Sequence, residues 1–252
     1  MRTCVRYTLG IGIALLAAHR APAQQPGADS SLVAAARRAL TQRYATGLGE
    51  NVRLYNGPEY VSYVRRDTQG HRFFGTDAPQ PATITYAGRT YAGVPLRYDL
   101  VRRQLVLRAP GGGLEMSLID EQVARFEVGG HTFLHLQADS ARQLPAGPGF
   151  YDLLVDGPVR LLGVHRKTLQ KRSTGTENIS EITARDEYFV ERARRYYPVG
   201  KLGAVLHLFP ENKAALRRFS KEHHLKFSVA AREQALVALL RYQATLAAAA
   251  PR

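Results

Sequence analysis

The stretch Thr83–Val128, TITYAGRTYAGVPLRYDLVRRQLVLRAPGGGLEMSLIDEQVARFEV, decides the fold of this chain. Apolar and aromatic side chains recur in it at or near every second position, which is the pattern of half-buried strands. The dipeptide Ala87-Gly88 provides an early turn, and the run Pro110-Gly111-Gly112-Gly113 provides a later one. The stretch therefore predicts four or five short strands in an antiparallel meander.

The same alternation continues on both sides of this stretch. The additional predicted strands lie at Tyr60–Val64, His131–Leu136, Phe150–Val155, Val159–Val164 and Ile179–Arg192, and the partner of the last is a basic strand or loop at Lys167–Gly175. Turn residues separate them, most clearly Gly129-Gly130 and Asp156-Gly157-Pro158. We therefore predict an α+β protein with a curved antiparallel β-meander sheet of about eight to ten strands between Tyr60 and Val190.

Helical periodicity appears at both ends of the chain. Before the sheet, Leu32–Tyr44 places apolar side chains on one stripe. After Val199 the apolar period changes from 2 to 3.6, with a short helix at Lys201–Leu208, a restart at Pro210 and a final helix after Ser228. One N-terminal helix and two or three C-terminal helices are thus predicted to cover the sheet.

These patterns divide the chain into four segments. Residues 1–23 form a predicted signal peptide, 24–50 the N-terminal helix, 51–195 the antiparallel sheet domain, and 196–252 a helical segment packed on the sheet.

The N-terminal segment has the order of parts that export requires. Arg2 and Arg6 precede a short apolar run, Leu9–Ala18, and small residues follow at Ala21-Pro22-Ala23. This order is typical of a secretory signal peptide, and the apolar run is short for a membrane anchor, which is the alternative. We expect cleavage near Ala23, and an exported protein that resides in the periplasm or associates with the envelope. The single cysteine, Cys4, would leave with the signal.

The chain is strongly basic, with a formal net charge of +14. Only six of its 35 basic residues are lysine, and this arginine bias is also what a GC-rich genome produces without selection for a ligand. An anionic lipid or glycan surface is the partner that an exported basic protein would meet, and nucleic acid is not expected. The predicted anionic-surface patch comprises Arg192, Arg194, Arg195, Arg217, Arg218 and Lys221. No run after the signal is long enough for a membrane helix.

Tyrosine is concentrated in the first half of the predicted sheet. Tyrosine rings on a strand can line a groove for a sugar or an amphiphile, and they are also ordinary packing residues of sheets. The predicted ligand-binding residues are Tyr60, Tyr63, Tyr86, Tyr91 and Tyr98.

No catalytic signature appears in the mature sequence. It contains no G-x-S-x-G, H-E-x-x-H, P-loop or dinucleotide-binding motif. His131 and His135 would share one side of a strand, but residues four apart on a strand lie about 13 Å apart, too far to share one ion. The sequence therefore predicts no catalytic residue, no metal site and no cofactor. The acidic residues Asp99, Asp120, Glu121, Asp152 and Asp156 are interpreted mostly as turn residues.

Three segments carry a resemblance: Leu54–Tyr60 (LYNGPEY), Tyr91–Asp99 (YAGVPLRYD) and Gly149–Gly157 (GFYDLLVDG). Together with the closing helices, the chain resembles, from Asn51 to Tyr242, a family of uncharacterised exported β-rich envelope proteins of Bacteroidetes-type Gram-negative bacteria. The resemblance implies an envelope location and a single β-rich unit. It carries no known functional residue.

Two functions from different classes follow. The first is a non-enzymatic binding or structural module that holds an envelope protein or an amphiphile on its curved, tyrosine-rich sheet. The alternative is a hydrolase that acts on envelope polymer through turn carboxylates such as Asp99 and Asp156. Convergence of a carboxylate with His131 or His165 in one cleft would favour the enzyme.

Overall fold

The computed structural model describes residues 53–109, 114–137, 144–173 and 178–249, together with 32, 33 and 35. The chain divides into two units, Met1–Thr46 and Gly47–Arg252, and the architecture below belongs to the second. The predicted signal peptide lies outside the described residues. So does the predicted N-terminal helix, apart from Leu32, Val33 and Ala35, which are helical and exposed.

Ten strands form one antiparallel sheet. They are β1 (Gln80–Tyr86), β2 (Arg89–Asp99), β3 (Gln104–Arg108), β4 (Glu115–Ser117), β5 (Val123–Val128), β6 (His131–Leu136), β7 (Gly149–Val155), β8 (Arg160–Ser173), β9 (Asn178–Arg192) and β10 (Arg195–Pro198). Their order in space is β10-β9-β8-β7-β6-β5-β1-β2-β3-β4, so the sheet is open, with β10 and β4 at its edges. The predicted α+β class with a large antiparallel sheet is confirmed.

The hairpins that local turn signals predicted are confirmed. β1 pairs with β2 across Ala87-Gly88, and β7 pairs with β8 across Asp156-Gly157-Pro158. The Gly129-Gly130 turn between β5 and β6 holds φ angles of +59° and +81°, a conformation that glycine adopts without steric strain. Two segments predicted separately, Val159–Val164 and the strand or loop at Lys167–Gly175, contribute to the one continuous strand β8, which pairs with β9 from the pair Arg160 and Glu191 to the pair Ser173 and Asn178.

One step departs from a simple meander. β5 does not pair with β4, its predecessor in the chain, but returns to the free edge of β1. A short 3-10 turn at Asp120–Gln122 makes this return, and the carbonyl of Gln122 accepts a hydrogen bond of 2.8 Å from the Ala87 amide. The return places the first five strands and the last five on one continuous sheet.

The predicted strand at Tyr60–Val64 is wrong. The segment has no regular structure. Its backbone meets the edge strand β4 at its start, where Glu59 forms an isolated bridge with Met116 and the Tyr60 amide donates to the Glu115 carbonyl at 2.7 Å. The hydroxyls of Tyr60 and Tyr63 both reach the Asp99 carboxylate. Side chains three apart on a strand point to opposite faces, so this shared target excludes strand geometry.

Three helices follow the sheet, which itself continues to Pro198, past the predicted boundary at 195. They are α1 (Leu202–Leu208), α2 (Lys213–Glu222) and α3 (Arg232–Ala249). Pro210 opens a 3-10 turn before α2, in keeping with its fixed φ. No helix among the described residues combines the length and apolar composition needed to cross a membrane.

Two hydrophobic cores surround the site described below. The first packs aromatic and aliphatic side chains of β1, β2, β3, β5 and β6, with Phe126 and Phe133 stacked at 4.6 Å between ring centroids. The second packs Leu161, Tyr188 and Val190 of the sheet against the three helices. A row of polar side chains lies between the two cores.

Candidate functional site

The strand register aligns one residue from each of four strands in a row on one face of the sheet. Phe133 of β6 lies opposite Asp152 of β7, Asp152 opposite Gly163 of β8, and Gly163 opposite Tyr188 of β9. Residues directly opposite each other in a sheet point to the same face. The row therefore runs from the first core, which contains Phe133, to the second core, which contains Tyr188.

Two histidines next to this row converge on Asp152. The Nδ1 atom of His131 lies 2.6 Å from Oδ2 of Asp152, and Nε2 of His165 lies 3.0 Å from the same oxygen. The other ring nitrogen of His165, Nδ1, lies 2.8 Å from Oδ1 of Asp186, its direct partner on β9. Imidazoles and carboxylates thus alternate across four neighbouring strands.

Helix α3 adds a third carboxylate. Glu233, in the first turn of α3, places Oε2 at 4.0 Å from Nε2 of His165. The Tyr188 hydroxyl donates a hydrogen bond of 3.2 Å to that same Oε2 atom. Glu233 therefore covers the cluster from the helical side, and Tyr188 of β9 holds it in place.

Aromatic rings enclose the two imidazoles. The Phe74 ring lies 5.0 Å from the His131 ring and 5.2 Å from the His165 ring, measured between centroids. Asp152 has no exposed surface, and the side chain of His131 is 28% exposed. His131 also lines a shallow surface depression beside the Gly129-Gly130 turn. The cluster is thus buried at its centre and open at His131.

The two oxygens of Asp152 have unequal surroundings. Oδ2 accepts hydrogen bonds from both imidazoles, whereas Oδ1 is buried without a hydrogen-bond partner among the described residues. Buried carboxylate oxygens in proteins almost always have a partner. This unpaired oxygen is the feature of the cluster that most needs an explanation.

Burial and charge act against each other on these groups. Burial by itself would lower the pKa of the His165 imidazole, but hydrogen bonds to Asp152 and Asp186, and the negative charges of both, raise it to about 9. The hydrogen bond to Asp152 likewise raises the pKa of His131 against the effect of burial. Burial would raise the pKa of Asp152, but the hydrogen bonds from the two imidazoles hold it below its usual range. Without a metal, the cluster is a charged network near neutral pH.

The cluster also has the donor set of a metal site. One donor atom each from His131, Asp152 and His165 lies within 4.8 Å of the others. Two imidazole nitrogens and a carboxylate oxygen are typical ligands of zinc and related transition metals. Asp186 accepts a hydrogen bond from the ring nitrogen of His165 that faces away, which is the usual outer partner of a metal-bound histidine.

All three residues appear in the sequence-based predictions, but this cluster does not. His131 and His165 are the histidines whose convergence with a carboxylate would favour an enzyme. Asp152 is grouped with the carboxylates interpreted mostly as turn residues, and that interpretation does not hold for it, because it lies inside β7, within the predicted strand Phe150–Val155, and is fully buried. His131 and His135 do not meet: Nδ1 of His135 lies 3.0 Å from the Val123 carbonyl oxygen. The available signal was a titratable residue within or directly after an apolar run, Asp152 in GFYDLLV and His165 after LLGV.

The tyrosines predicted to bind a ligand lie mostly in the interior. Tyr60, Tyr86, Tyr91 and Tyr98 are all buried, and Tyr63 is partly exposed. The expected groove is therefore not where four of these rings lie, because the sheet packs them into the core.

Asp99, the first of the predicted hydrolase carboxylates, anchors two of these tyrosines. It accepts hydrogen bonds from Tyr60 at 2.5 Å and from Tyr63 at 2.8 Å. The amides of Val101 and Arg102 also donate to it, at 2.8 and 2.9 Å. This carboxylate is buried, and both of its oxygens accept hydrogen bonds from neighbouring parts of the fold.

The remaining predicted carboxylates lie apart from Asp99. Asp156 is exposed in the β7–β8 turn and pairs with Arg160 at 2.9 Å. Asp120 and Glu121 lie in the 3-10 turn before β5, where burial, and then the charge of Glu121, raise the pKa of Asp120 to about 6. Asp99 and Asp156 thus each have partners within the fold: tyrosine hydroxyls and backbone amides for Asp99, and Arg160 for Asp156.

The predicted basic patch is exposed in all of its members. Arg217, Arg218 and Lys221 line one surface depression on α2 together with Lys213 and Glu211. Arg192 connects the end of β9 to this region, because it donates to the Leu208 carbonyl at 2.7 Å and lies 3.6 Å from Glu211. Arg194 and Arg195 lie at the β9–β10 turn, where both Ala193 and Arg194 have positive φ angles.

Comparisons of the chain with protein-family models, with curated proteins and with solved structures found no match.

Proposed function

We propose that the protein binds one divalent transition-metal ion, with zinc as the best fit, through His131, Asp152 and His165. The observation that carries the proposal is the convergence of three ligand atoms within 4.8 Å in a largely buried, aromatic-walled position. Three protein ligands and an open fourth position are the composition of catalytic zinc sites.

The unpaired oxygen of Asp152 favours a metal over a purely structural network. A network selected for hydrogen bonding alone would use both carboxylate oxygens, since an unsatisfied buried acceptor costs about 1–3 kcal/mol. Here both imidazoles crowd one oxygen and leave the other without a donor among the described residues. A cation between the imidazole nitrogens and the carboxylate would use this lone-pair capacity directly.

The donor set also indicates which ion to test first. Imidazole and carboxylate ligands suit zinc, and also iron(II), cobalt(II) and nickel(II), better than they suit magnesium or calcium, which prefer all-oxygen sites. Metal binding must displace the protons that the two histidines hold, so it requires their deprotonation. The expected export of the chain would place this site in the envelope, where an unsaturated metal centre meets polymer and lipid substrates.

The test is metal content and affinity of the purified protein. We expect one zinc ion per chain by elemental analysis and a zinc Kd below about 1 µM by competition with a chromophoric chelator. His165→Gln and Asp152→Asn should each weaken zinc binding by at least about 100-fold. His135→Gln is the matched control, since His135 lies on the same strand as His131 but bonds to a backbone carbonyl.

Two results would reject the metal proposal. One is wild-type protein that takes up no stoichiometric metal ion from zinc, iron(II), cobalt(II) or nickel(II). The other is equal loss of zinc affinity in His135→Gln and His165→Gln. In either case the cluster is a hydrogen-bonded network that fixes strand register.

A second candidate function is attachment to an anionic envelope surface. It is favoured by the shared depression that Lys213, Arg217, Arg218 and Lys221 line, and not by the buried tyrosines. Each basic residue close to an anionic membrane contributes about 1 kcal/mol, and the attraction is screened as salt shortens the Debye length. We expect flotation with anionic vesicles at low salt and its loss at high salt. Equal flotation with neutral vesicles, or none with either, would reject it.

A further inference from the structure

Glu233 lies on the helical side of the proposed metal site and is not one of the three residues whose donor atoms converge. Its Oε2 atom is 4.0 Å from Nε2 of His165. The donor atoms of those three residues all lie within 4.8 Å of one another. The distance from Glu233 to His165 places Glu233 where it can contact a molecule bound beside that proposed ligand.

The position of Glu233 is fixed from two elements. Helix α3 packs against β7 and β8 and supplies the carboxylate. The Tyr188 hydroxyl, on β9, holds Oε2 with a hydrogen bond of 3.2 Å. Burial, and then the charge of Glu233, raise the pKa of Tyr188, so its hydroxyl stays protonated and remains a donor. Tyr188 is thus a positioning residue, and one oxygen of Glu233 points to the cluster.

We propose that Glu233 is the general base of a zinc-dependent hydrolase, an inference that rests on the metal site proposed above. A water in the fourth position transfers one proton to Glu233, and the remaining hydroxide attacks the carbonyl carbon of an ester. The new C–O bond forms as the bond to the leaving alcohol breaks, and the leaving oxygen takes the proton from Glu233. No electrons are exchanged, so no redox partner is needed.

The walls of the site indicate the kind of ester. The aromatic rings of Phe74 and Phe133 pack against each other, and Phe133 packs against His165, so they favour an uncharged group. Three carboxylates, those of Asp152, Asp186 and Glu233, lie around His165 and disfavour a phosphate ester, which carries its own negative charge. An uncharged carboxylic ester is therefore the expected substrate class.

The test compares zinc affinity with ester hydrolysis in the same full-length variants. p-Nitrophenyl acetate is the neutral ester probe, and bis(p-nitrophenyl) phosphate is the anionic contrast. We expect the zinc-loaded wild type to hydrolyse the acetate well above both the metal-stripped protein and free zinc, and to leave the phosphate nearly untouched. Glu233→Gln should bind zinc within about three-fold of wild type, but its kcat should fall by 100-fold or more with little change in KM. Glu233→Asp should retain part of the activity.

Glu187→Gln is the matched control, because Glu187 is adjacent to Asp186 and Tyr188 on β9 but pairs with Arg185. It should keep full activity, and melting temperatures should show that all three variants fold.

The outcomes separate this inference from the metal proposal. If the wild type binds no metal, the proposed function and this inference both fail. If zinc binds but Glu233→Gln loses zinc affinity by 100-fold or more, Glu233 is a metal ligand, and the general-base role is overturned. If zinc binds and Glu233→Gln hydrolyses the ester as fast as the wild type, or if the wild type does not hydrolyse it, the role is also overturned while the metal proposal stands.

Discussion

Two carboxylates, Asp99 and Asp152, are completely buried in this sheet, and their surroundings are opposite in kind. Asp99 accepts hydrogen bonds on both oxygens, from two tyrosine hydroxyls and two backbone amides. Asp152 accepts from two imidazoles on one oxygen, while the other oxygen has no partner among the described residues. Both oxygens of Asp99 therefore have hydrogen-bond donors, whereas one oxygen of the equally buried Asp152 has none among the described residues.

The partners of the two carboxylates also differ in how they respond to a change in charge. Burial, and then hydrogen bonding to Asp99, raise the pKa values of Tyr60 and Tyr63, so these hydroxyls cannot titrate near neutral pH. Among the imidazoles around Asp152, His165 loses its proton near pH 9, and the hydrogen bond to Asp152 raises the pKa of His131 above its ordinary value. The Asp99 cluster is therefore a rigid anchor, whereas the Asp152 cluster can exchange protons for a metal ion.

Removal of the anchor should have the largest effect on stability. Asp99→Ala leaves two buried hydroxyls and two amides without their acceptor, so we expect a loss of about 3–5 kcal/mol in the free energy of unfolding. Urea denaturation of the metal-free protein measures it. Asp156→Ala, at an exposed turn, is the control and should change stability by less than about 1 kcal/mol. Equal losses of stability in the two variants would mean that the buried Asp99 is no more important for folding than the exposed Asp156.

The histidine cluster should make the stability of the metal-free protein depend on pH. The pKa of His165 is about 9 in the folded chain, against an ordinary value of 6.5 for the imidazole. Stabilisation by its charged form is therefore complete below about pH 6.5 and is lost as pH rises through 9, a change of at most about 3 kcal/mol. Denaturation at several pH values, with a chelator present, should show this decline. Asp152→Asn should flatten it, and an unchanged slope in that variant would contradict the assigned cause.

Asp152→Asn should destabilise the metal-free protein less than Asp99→Ala. Without the carboxylate, His165 can lose its proton and remain buried as a neutral ring, which removes most of the penalty of an unpaired charge. We expect a loss of about 1–2 kcal/mol at pH 7.5 by urea denaturation. A loss as large as that of Asp99→Ala would mean that the Asp152 cluster is also a structural anchor.

Local signals in the sequence were sufficient for most of the fold. Turn residues at Ala87-Gly88 and Gly129-Gly130, with alternating apolar residues on either side, act within a few residues of each other, and the hairpins follow from them. The pairing of β5 with β1 is not local, since it depends on where the edge of β1 remains free. The Tyr60–Val64 segment has strand-forming residues, but its tertiary contacts with Asp99 determine its path.

The candidate site could not be predicted from local signals either, because its residues are brought together by contacts that are distant in the sequence. Asp152 and His165 become neighbours only through the β7–β8 register, in which a shift occurs between Leu153 and Val155. A one-residue change of register would send one of the two side chains to the other face of the sheet. Glu233 arrives from a helix, and no spacing in the sequence relates it to a strand. What the sequence did contain was a titratable residue within the apolar run of β7 and another directly after the apolar run of β8, and such residues are candidates for function.

The smallest expected effect tests how tightly the Asp152 row is packed. Gly163 lies directly opposite Asp152, and a Cβ atom placed on it would stand 3.3 Å from both Nε2 of His165 and Cδ1 of Leu154. Both distances are shorter than ordinary van der Waals contacts, so Gly163→Ala must displace the imidazole or the leucine. We expect zinc affinity to fall by about 10-fold and stability by about 1 kcal/mol. Titration with zinc and urea denaturation measure the two effects.

The matched control for this substitution is Gly203→Ala in α1. A Cβ atom there meets no atom within 4 Å, and the position is exposed in a helix. Alanine should therefore stabilise the protein by roughly 0.5–1 kcal/mol through helix propensity and leave zinc binding unchanged. If Gly163→Ala binds zinc as the wild type does, the imidazole of His165 has room to move, and the row is a looser site than its distances imply. If it weakens zinc binding while Gly203→Ala does not, the absence of a side chain at position 163 is part of how the sheet holds two imidazoles against one carboxylate.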